Sequence, residues 1–492
     1  MCHSKKHSYS FLVNFIVLEY GIILSNMKKS LNSIAVHWKS LPRWFRIIFI
    51  AISIFYLSAW IVSIYLSISY GQNVSIPVLS KDSAEYGALA ESLRHHGTFS
   101  LIQGVPETFR TPGYPLFVMI FGLLDGGTFF AATCVQMILM LIGALLVQDI
   151  GRRFFSPHIG AVAATAFLLN PTTLAVSLFI FSDSLFAFLY ILFFWLTISR
   201  LRTRFIHTII LMSIITTAAL YVRPMGVLAF PVFLAPLFLS GISWKKMIIT
   251  GISLAGITAL LVTPWMERNR QQTGVFLFST LAPYNISVYN IPMYYAHKNG
   301  TSVQIETARL AEEIGLSRSL WKEPQSAPIL KESISHFVRE HVFGYAVYHS
   351  ITSLPFFFGS DIEWSLRVYF GSLHIPFTSG GGAIFDLANG DIGMFFSKIT
   401  SQWWKFTERL WICFLGLSCL YSLIIMRKKP AVWVWAGIIL YLAFLAGPVS
   451  DARYRFPTDA FIYLLASSGF VSFLNSRSRS TPSQNRRFLY RI

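Results

Sequence analysis

Residues 184–221 read SLFAFLYILFFWLTISRLRTRFIHTIILMSIITTAALY. Two apolar runs, Ser184–Ser199 and Phe205–Tyr221, flank a short connector carrying Arg200, Arg202 and Arg204. Each run approaches the roughly 20 residues that a helix needs to cross about 30 Å of hydrocarbon. Neither contains Asp, Glu, Lys or Arg. Arginines gathered between two such runs mark a cytoplasmic connector, because membrane insertion retains Lys and Arg on that side. The stretch reads as a helical hairpin in a bilayer.

The same pattern extends outward in both directions. Of 492 residues, 54% are hydrophobic and 13% charged, against roughly 25% charged in an average soluble domain. Aromatics reach 16%, with 44 Phe and 13 Trp, and no water-soluble fold of this length hides so much apolar surface. Further runs fall at Ile47–Ser69, Phe129–Gln148, Ile159–Phe179, Met225–Leu239, Met247–Trp265, Leu410–Met426, Val432–Pro448 and Ala460–Leu474. Together they predict an all-α integral membrane protein with about ten transmembrane helices.

Charge sets the expected topology. The net charge of +18 is spread as short clusters: Arg152-Arg153, Lys245-Lys246, Arg427, Lys428 and Lys429, and a tail with Arg477, Arg479, Arg486, Arg487 and Arg491. That distribution is a topology signal and argues against nucleic acid as a partner. Placing the clusters inside puts both termini in the cytoplasm. The expected organisation is a basic N-terminus (1–46), helices 1–7 (47–265) with a first outer loop (70–127), a large outer-face segment (266–408), helices 8–10 (410–474) and a basic tail (475–492). Phe343–Phe358, broken by His349 and Pro355, is expected to lie at the interface, and Ser379–Gly382 reads as flexible loop. The apolar stretch from Phe11 to Leu24 is short and carries Glu19, so it does not read as a signal peptide. Met27, followed by Lys28-Lys29, is an alternative start. Cys2, Cys134, Cys413 and Cys419 imply no disulfide framework.

The chemistry-bearing residues concentrate in the first outer loop. It holds Lys81-Asp82-Ser83-Ala84-Glu85-Tyr86, then His96-Gly97, Phe99 and Phe109-Arg110-Thr111-Pro112-Gly113-Tyr114-Pro115. Glu85, Leu89 and Leu93 recur at helical spacing, which predicts an amphipathic helix on the membrane surface with Asp82 at its start. Asp82 could simply cap that helix. Its company points further: Arg110, stiffened by two prolines and a glycine, is suited to clamp a phosphate, with a plain entry turn for the next helix as the lesser alternative. His95 and His96 are adjacent and point to different faces, so they read as surface histidines. No metal-ligand spacing or carboxylate cage stands out, and a divalent metal is left open.

The pattern D-x-x-x-Y-x-x-x-A, followed by H-G-x-F and R-T-P-G-Y-P, resembles the first outer loop of the GT-C glycosyltransferases, which include protein mannosyltransferases and lipid A aminoarabinose transferases. The resemblance continues through Phe181-Ser182-Asp183-Ser184-Leu185 after Asn170-Pro171, Arg223-Pro224, Arg268-Asn269-Arg270 and Arg453-Tyr454-Arg455-Phe456-Pro457. It implies a GT-C fold and transfer of a sugar from a polyprenyl-phosphate donor to a glycolipid, surface-glycan or protein acceptor on the outer face of an inner or plasma membrane, bacterial by this likeness. It also implies that an outer-loop Asp serves as base on the acceptor hydroxyl. Asp82 suits that role, since desolvation beside a membrane makes a carboxylate more basic. Asp183 is a second catalytic candidate, or else a helix cap. Arg110, Arg268, Arg270, Arg453 and Arg455 fall on the outer side, where the charge rule disfavours them, and are candidate donor-binding residues. Arg223 reads as snorkelling from a span end. Tyr86 and Tyr114 are expected either to line the sugar cleft or to sit in the interfacial aromatic belt. The competing class is a transporter or flippase of a lipid-linked precursor, against which the ionisable residues cluster at one face and not at the midplane.

Overall fold

The computed structural model describes residues 38–69, 81–359, 403–449 and 452–480, together with residues 392, 393 and 397. Met27, Cys2, the Phe11–Leu24 stretch, the Ser379–Gly382 run and the arginines at 486, 487 and 491 lie outside the described residues. Within them the chain is helical apart from turns and one isolated bridge between Ile102 and Val105. Among the described residues, eight helices are long and apolar enough to cross a membrane, or nine when one bent pair counts as a span. The chain is a multi-pass integral membrane protein.

Helix α1 (Arg43–Ser69) buries Phe45, Ile52, Tyr56 and Ser63 on one face and exposes Ile47, Ile50, Ile54, Ile61 and Ile68. A helix apolar all round fits lipid on its outer side. Helices α2 (Lys81–His96) and α3 (Gly113–Gly122) follow, packed on one another, before the spanning helix α4 (Phe130–Phe154). The next span is broken into α5 (Pro157–Leu169) and α6 (Pro171–Leu178), inclined at 55°. Pro171 has no N–H to continue the ladder, and Asn170, extended at φ −65°, ψ 122°, caps the new helix by accepting from the Thr172 N–H at 3.2 Å. Helices α4 and α5 approach closely where Gly160 lies against the Gln148 carbonyl, leaving no room for a side chain.

The hairpin read from residues 184–221 is present as α7 (Ser182–Arg200) and α8 (Phe205–Val222). The following run, Met225–Leu239, is not a regular spanning helix. It consists of a 3-10 turn (Pro224–Val227), α9 (Phe230–Leu234) and a second 3-10 turn (Ala235–Leu239). Pro224, Pro231 and Pro236 each remove an amide donor, and hydropathy does not register that loss. The segment nevertheless carries the chain between the two ends of the bundle. Helix α10 (Trp244–Thr273) begins beside the start of α8, with the Lys246 ammonium 5.3 Å over the Phe205 ring. Near the far end of α8, the Tyr221 hydroxyl donates to the Leu261 carbonyl at 2.9 Å. The two helices thus run parallel, and the irregular stretch returns the chain between them. Its backbone is tolerated because protein supplies partners: the Tyr190 hydroxyl donates to the Val232 carbonyl at 3.1 Å.

Helix α10 continues past Trp265 and ends at Gly274, whose φ of 78° is the left-handed conformation that closes a helix. A second, smaller core of Val288, Ile291, Tyr294, Leu310, Trp321, Leu330 and Phe337 then gathers α11 (Leu281–Asn285), α12 (Ile291–Asn299), α13 (Val303–Glu313) and α14 (Ser326–Thr352). Helix α14 starts well before the expected Phe343 and is interrupted at His341, not His349. Phe343, Val347 and Ile351 form an exposed apolar stripe at i, i+4, i+8, and α15 (Pro355–Phe358) follows. Three spanning helices complete the described chain: α16 (Trp403–Ile425), α17 (Pro430–Ala446) and α18 (Ala452–Ser480). Helices α16 and α18 meet at Gly469, which packs on the Ser418 carbonyl, and at a 2.5 Å contact between the Ser422 and Ser468 hydroxyls.

Candidate active site

Helix α2 places Asp82, Glu85 and Tyr86 at i, i+3 and i+4, on one face. Arg110 comes to that face from the loop before α3. Its Nη2 lies 2.7 Å from Asp82 Oδ1 and 2.6 Å from Glu85 Oε2, and its Nε donates to the same Glu85 oxygen at 2.9 Å. The guanidinium also stacks 4.9 Å over the Tyr86 ring. The loop is preset by Glu107, whose carboxylate accepts the N–H groups of Phe109 and Arg110 at 2.5 and 3.1 Å. Gly113 then lets α3 dock on the end of α8. A Cβ there would stand 2.7 Å from the Tyr221 backbone.

The other half of the site comes from far along the sequence. Arg453, in the first turn of α18, donates Nη1 to Asp82 Oδ2 at 2.8 Å and Nε to Asp183 Oδ2 at 2.9 Å. Its guanidinium lies 4.1 Å over the Phe181 ring. Asp183 is in the first turn of α7, and its other oxygen pairs with Arg223, the residue that ends α8. Five segments, namely α2, the loop before α3, the start of α7, the end of α8 and the start of α18, therefore converge through one chain of charges at one end of the bundle. Neither acid is a helix cap. The α7 N-cap position is Phe181, with no side-chain cap, and the carboxylates of Asp82 and Asp183 both face arginines.

The two acids differ in access. The Asp82 side chain is 33% exposed, whereas that of Asp183 is 0% exposed. Burial works to raise the pKa of Asp82, but Arg453 and Arg110 outweigh it and hold the carboxyl well below the usual carboxylate range. This reverses the expectation that desolvation would make Asp82 more basic. Arg110 shows the partner effect: burial opposes its charge, yet Tyr86, Asp82 and Glu85 hold its pKa above the ordinary arginine value.

The remaining sequence candidates take other places. Tyr86 and Tyr114 are both buried, with rings 4.7 Å apart edge to face, so neither lines an open cleft or joins an interfacial belt. The Tyr114 hydroxyl donates to Gln136 Oε1 at 2.5 Å, and the Gln136 amide donates to the Phe179 carbonyl at 2.8 Å. These residues support the cluster from below. Arg268 braces the first loop by donating to the carbonyls of Glu107 (3.0 Å) and Phe99 (3.3 Å), and its guanidinium stacks 4.7 Å over Trp265. Arg270 is exposed and pairs with Glu267 on its own helix. Arg455 pairs with the buried Asp459 at 3.0 Å and donates to the carbonyls of Phe356, Phe357 and Gly359, which seats α15 on α18. Arg268, Arg270 and Arg455 thus lie apart from the Asp82 cluster.

Sequence reading missed Glu85, Arg223, Gln136 and Lys322 as members of this region. Glu85 carried a usable signal, since it sits one turn from Asp82. Arg223 did not, because its partner is Asp183, 40 positions away. Two apolar cavities lie outside the cluster itself, the first beside Pro112 and Gly113, which follow Arg110, and the second beside Arg455. One, of about 600 Å³, is lined by Pro112, Leu116, Leu189, Tyr221, Trp265 and Arg268. Another, of about 690 Å³, includes Asn170, Trp411, Cys419, Leu440, Arg455 and Asp459. Among the described residues, no three of His, Cys, Asp and Glu come together so as to hold a metal ion.

No protein-family model and no curated protein sequence matches this chain. Solved structures do. The archaeal oligosaccharyltransferase AglB from Archaeoglobus fulgidus, in complex with an inhibitory peptide and a dolichol-phosphate, is similar at 15% identity and a TM-score of 0.46, over 91% of this chain and 53% of that one. Its apo form is similar at 14% identity and the same TM-score. ArnT from Cupriavidus metallidurans, bound to undecaprenyl phosphate, is similar at 12% identity and a TM-score of 0.38, over 83% of this chain and 77% of that one. The chain spans about half the length of the oligosaccharyltransferase.

Proposed function

We propose that this protein is a GT-C glycosyltransferase that moves a sugar from a polyprenyl-phosphate carrier to an acceptor hydroxyl on the outer face of its membrane. The observation that carries the reading is Asp82: a partly accessible carboxylate held between Arg110 and Arg453, where loops from distant parts of the chain converge at one end of an apolar bundle. An acid meeting guanidiniums at a membrane surface is what such a transfer requires. The acceptor oxygen attacks the anomeric carbon, the bond from that carbon to the phosphate oxygen breaks, and its electron pair leaves with the phosphate. The acceptor proton passes to Asp82. Because its arginines keep Asp82 ionised, it is present as a proton acceptor at every physiological pH. It takes the proton late, as the new bond forms and the acceptor oxygen becomes strongly acidic.

Asp183 has a different role in this scheme. Sealed from solvent, it holds Arg453 and Arg223 in place and so acts as a positioning residue. The apolar cavity beside Pro112 and Gly113, which follow Arg110, suits a prenyl chain, which there exchanges bilayer hydrocarbon for an equally apolar lining. The bacterial inner membrane is the setting in which we place the reaction, with an undecaprenyl-phosphate sugar as donor.

The test is sugar transfer by the purified protein in native lipid from a panel of undecaprenyl-phosphate sugars, comparing wild type with Asp82→Asn. Transfer by the wild type, cut by about 100-fold or more in the variant, is the expected result. Equal activity in both proteins removes Asp82 as the proton acceptor. Passage of lipid-linked sugar across proteoliposomes without transfer would replace the enzyme with a transporter.

A further inference from the structure

Lys322 occupies a position at the mouth of the Asp82 cluster that its neighbours hold with care. It follows Trp321, which is fully buried in the small core and donates its indole N–H to the Leu316 carbonyl at 3.0 Å. The Thr280 hydroxyl donates to the Lys322 carbonyl at 3.0 Å, and the Thr280 N–H donates to the Thr108 carbonyl at 3.1 Å. The Ser279 hydroxyl donates to the Phe109 carbonyl at 2.7 Å. These bonds lace residue 322 to the loop that carries Arg110, although the two are far apart in sequence. The ammonium is thereby set 4.5 Å over the Phe109 ring and 3.9 Å from Glu85 Oε1.

Charge accounting separates Lys322 from the other cations of the site. Asp82, Glu85 and Asp183 are balanced by Arg110, Arg223 and Arg453, in contacts of 2.9 Å or less. Among the described residues, Lys322 adds one positive charge to these three acid–arginine pairs. Its contact with Glu85 is longer, Glu85 is already engaged by Arg110, and the lysine side chain is 41% exposed. An ammonium on a flexible stem, fixed at its backbone and short of a close carboxylate, is suited to meet an incoming anion.

We infer that Lys322 is a phosphate-contacting residue, which binds the phosphate of the lipid carrier beside Asp82. The inference rests on the glycosyltransferase reading for the identity of the ligand, but its test does not require turnover. Cation–π contact with Phe109 gives the ammonium a resting place when the site is empty, and the phosphate draws it the short distance toward the cluster.

The experiment measures binding of undecaprenyl phosphate and of uncharged undecaprenol to the full-length protein in lipid nanodiscs, for wild type, Lys322→Met and Lys322→Arg. The expected result is a loss of about 10- to 30-fold in undecaprenyl phosphate affinity for Lys322→Met, with undecaprenol unchanged. Lys322→Arg is expected to stay within about 3-fold of wild type, because a guanidinium keeps the positive charge and also binds phosphate oxygens. The proposal is overturned if Lys322→Met binds the phosphate as tightly as wild type. It is also overturned if both lipids weaken equally, which would make Lys322 a packing residue, or if wild type does not distinguish phosphate from alcohol. Lys322-dependent phosphate binding by a protein that transfers no sugar would leave Lys322 assigned and remove the glycosyltransferase reading instead.

Discussion

Asp183→Asn tests the most heavily buried part of the site. Asp183 is 0% exposed and pairs with Arg223, 14% exposed, and Arg453, 27% exposed. The substitution is nearly isosteric, so no cavity forms, but two guanidiniums lose their shared negative charge. Breaking a buried pair by removing one partner costs roughly 3–5 kcal/mol, because the remaining charge is left uncompensated in a medium of low dielectric. Partial exposure of Arg453 places the expected loss toward the lower end, about 3 kcal/mol. The balanced change, Asp183→Asn with Arg223→Met, removes one charge of each sign and leaves Arg453 paired with Asp82. It should recover at least about half of that loss, since well-packed apolar replacements of buried pairs are often neutral. The assay is reversible unfolding in bicelles, followed for wild type, both single variants and the double variant. A loss below about 1 kcal/mol for Asp183→Asn, or a double variant no more stable than the single, would refute the view that the buried charges are mutually dependent.

Three further outcomes follow from other parts of the structure. Asp82 has a folded-state pKa below its unfolded value of about 3.9, so its stabilising contribution is present above that value and is lost as pH falls toward the folded pKa; stability measured from about pH 5 to 8 should not change through Asp82, and Asp82→Asn should flatten the decline below about pH 4. His349 shows the same sign from the opposite charge type: burial lowers its pKa, against an opposing bond to the Phe444 carbonyl, so the neutral form is the folded one and protonation below about pH 6.5 should loosen α14 from the end of α17, an acid-linked rise in hydrogen exchange around residues 345–352 that His349→Gln abolishes. Gly447, at φ 56°, lies against the His349 ring, and Gly447→Ala should destabilise the protein by about 2–4 kcal/mol through backbone strain and overpacking together, whereas Gly437→Ala, where a Cβ meets open space, should be nearly neutral in the same thermal unfolding assay.

Much of the architecture was legible because a membrane span is a local property. A run such as Phe205–Tyr221 must satisfy its own backbone amides and present apolar atoms on every side, and both requirements are written in consecutive residues. The same holds for α2, where the spacing of Glu85, Leu89 and Leu93 marks a helix, whereas the run Ile159–Phe179, read as one span, is bent at Asn170-Pro171. Apolarity alone was insufficient at Met225–Leu239. There the prolines break the backbone into short pieces, and burial against Tyr190 makes the irregular chain acceptable.

The candidate site was legible only in part, because ion pairing depends on position in space and not on spacing along the chain. Residue types and the ends of the spans marked Asp82, Asp183, Arg110 and Arg453 as members of one functional region. Tertiary structure alone decided which arginine meets which acid: Arg453 reaches Asp82 across 371 positions and Asp183 across 270. It turned Arg223 from a span-end charge into the partner of Asp183, and it buried Tyr114 by letting Gly113 touch the end of α8. It also drew Arg455 away to brace α15 and brought Lys322 in from a different loop. The sequence by itself determined that this chain is a bundle of membrane helices with its unusual charges gathered at one end; packing of distant segments decided the pairing among those charges, since each pair is stable only where several helices jointly exclude water.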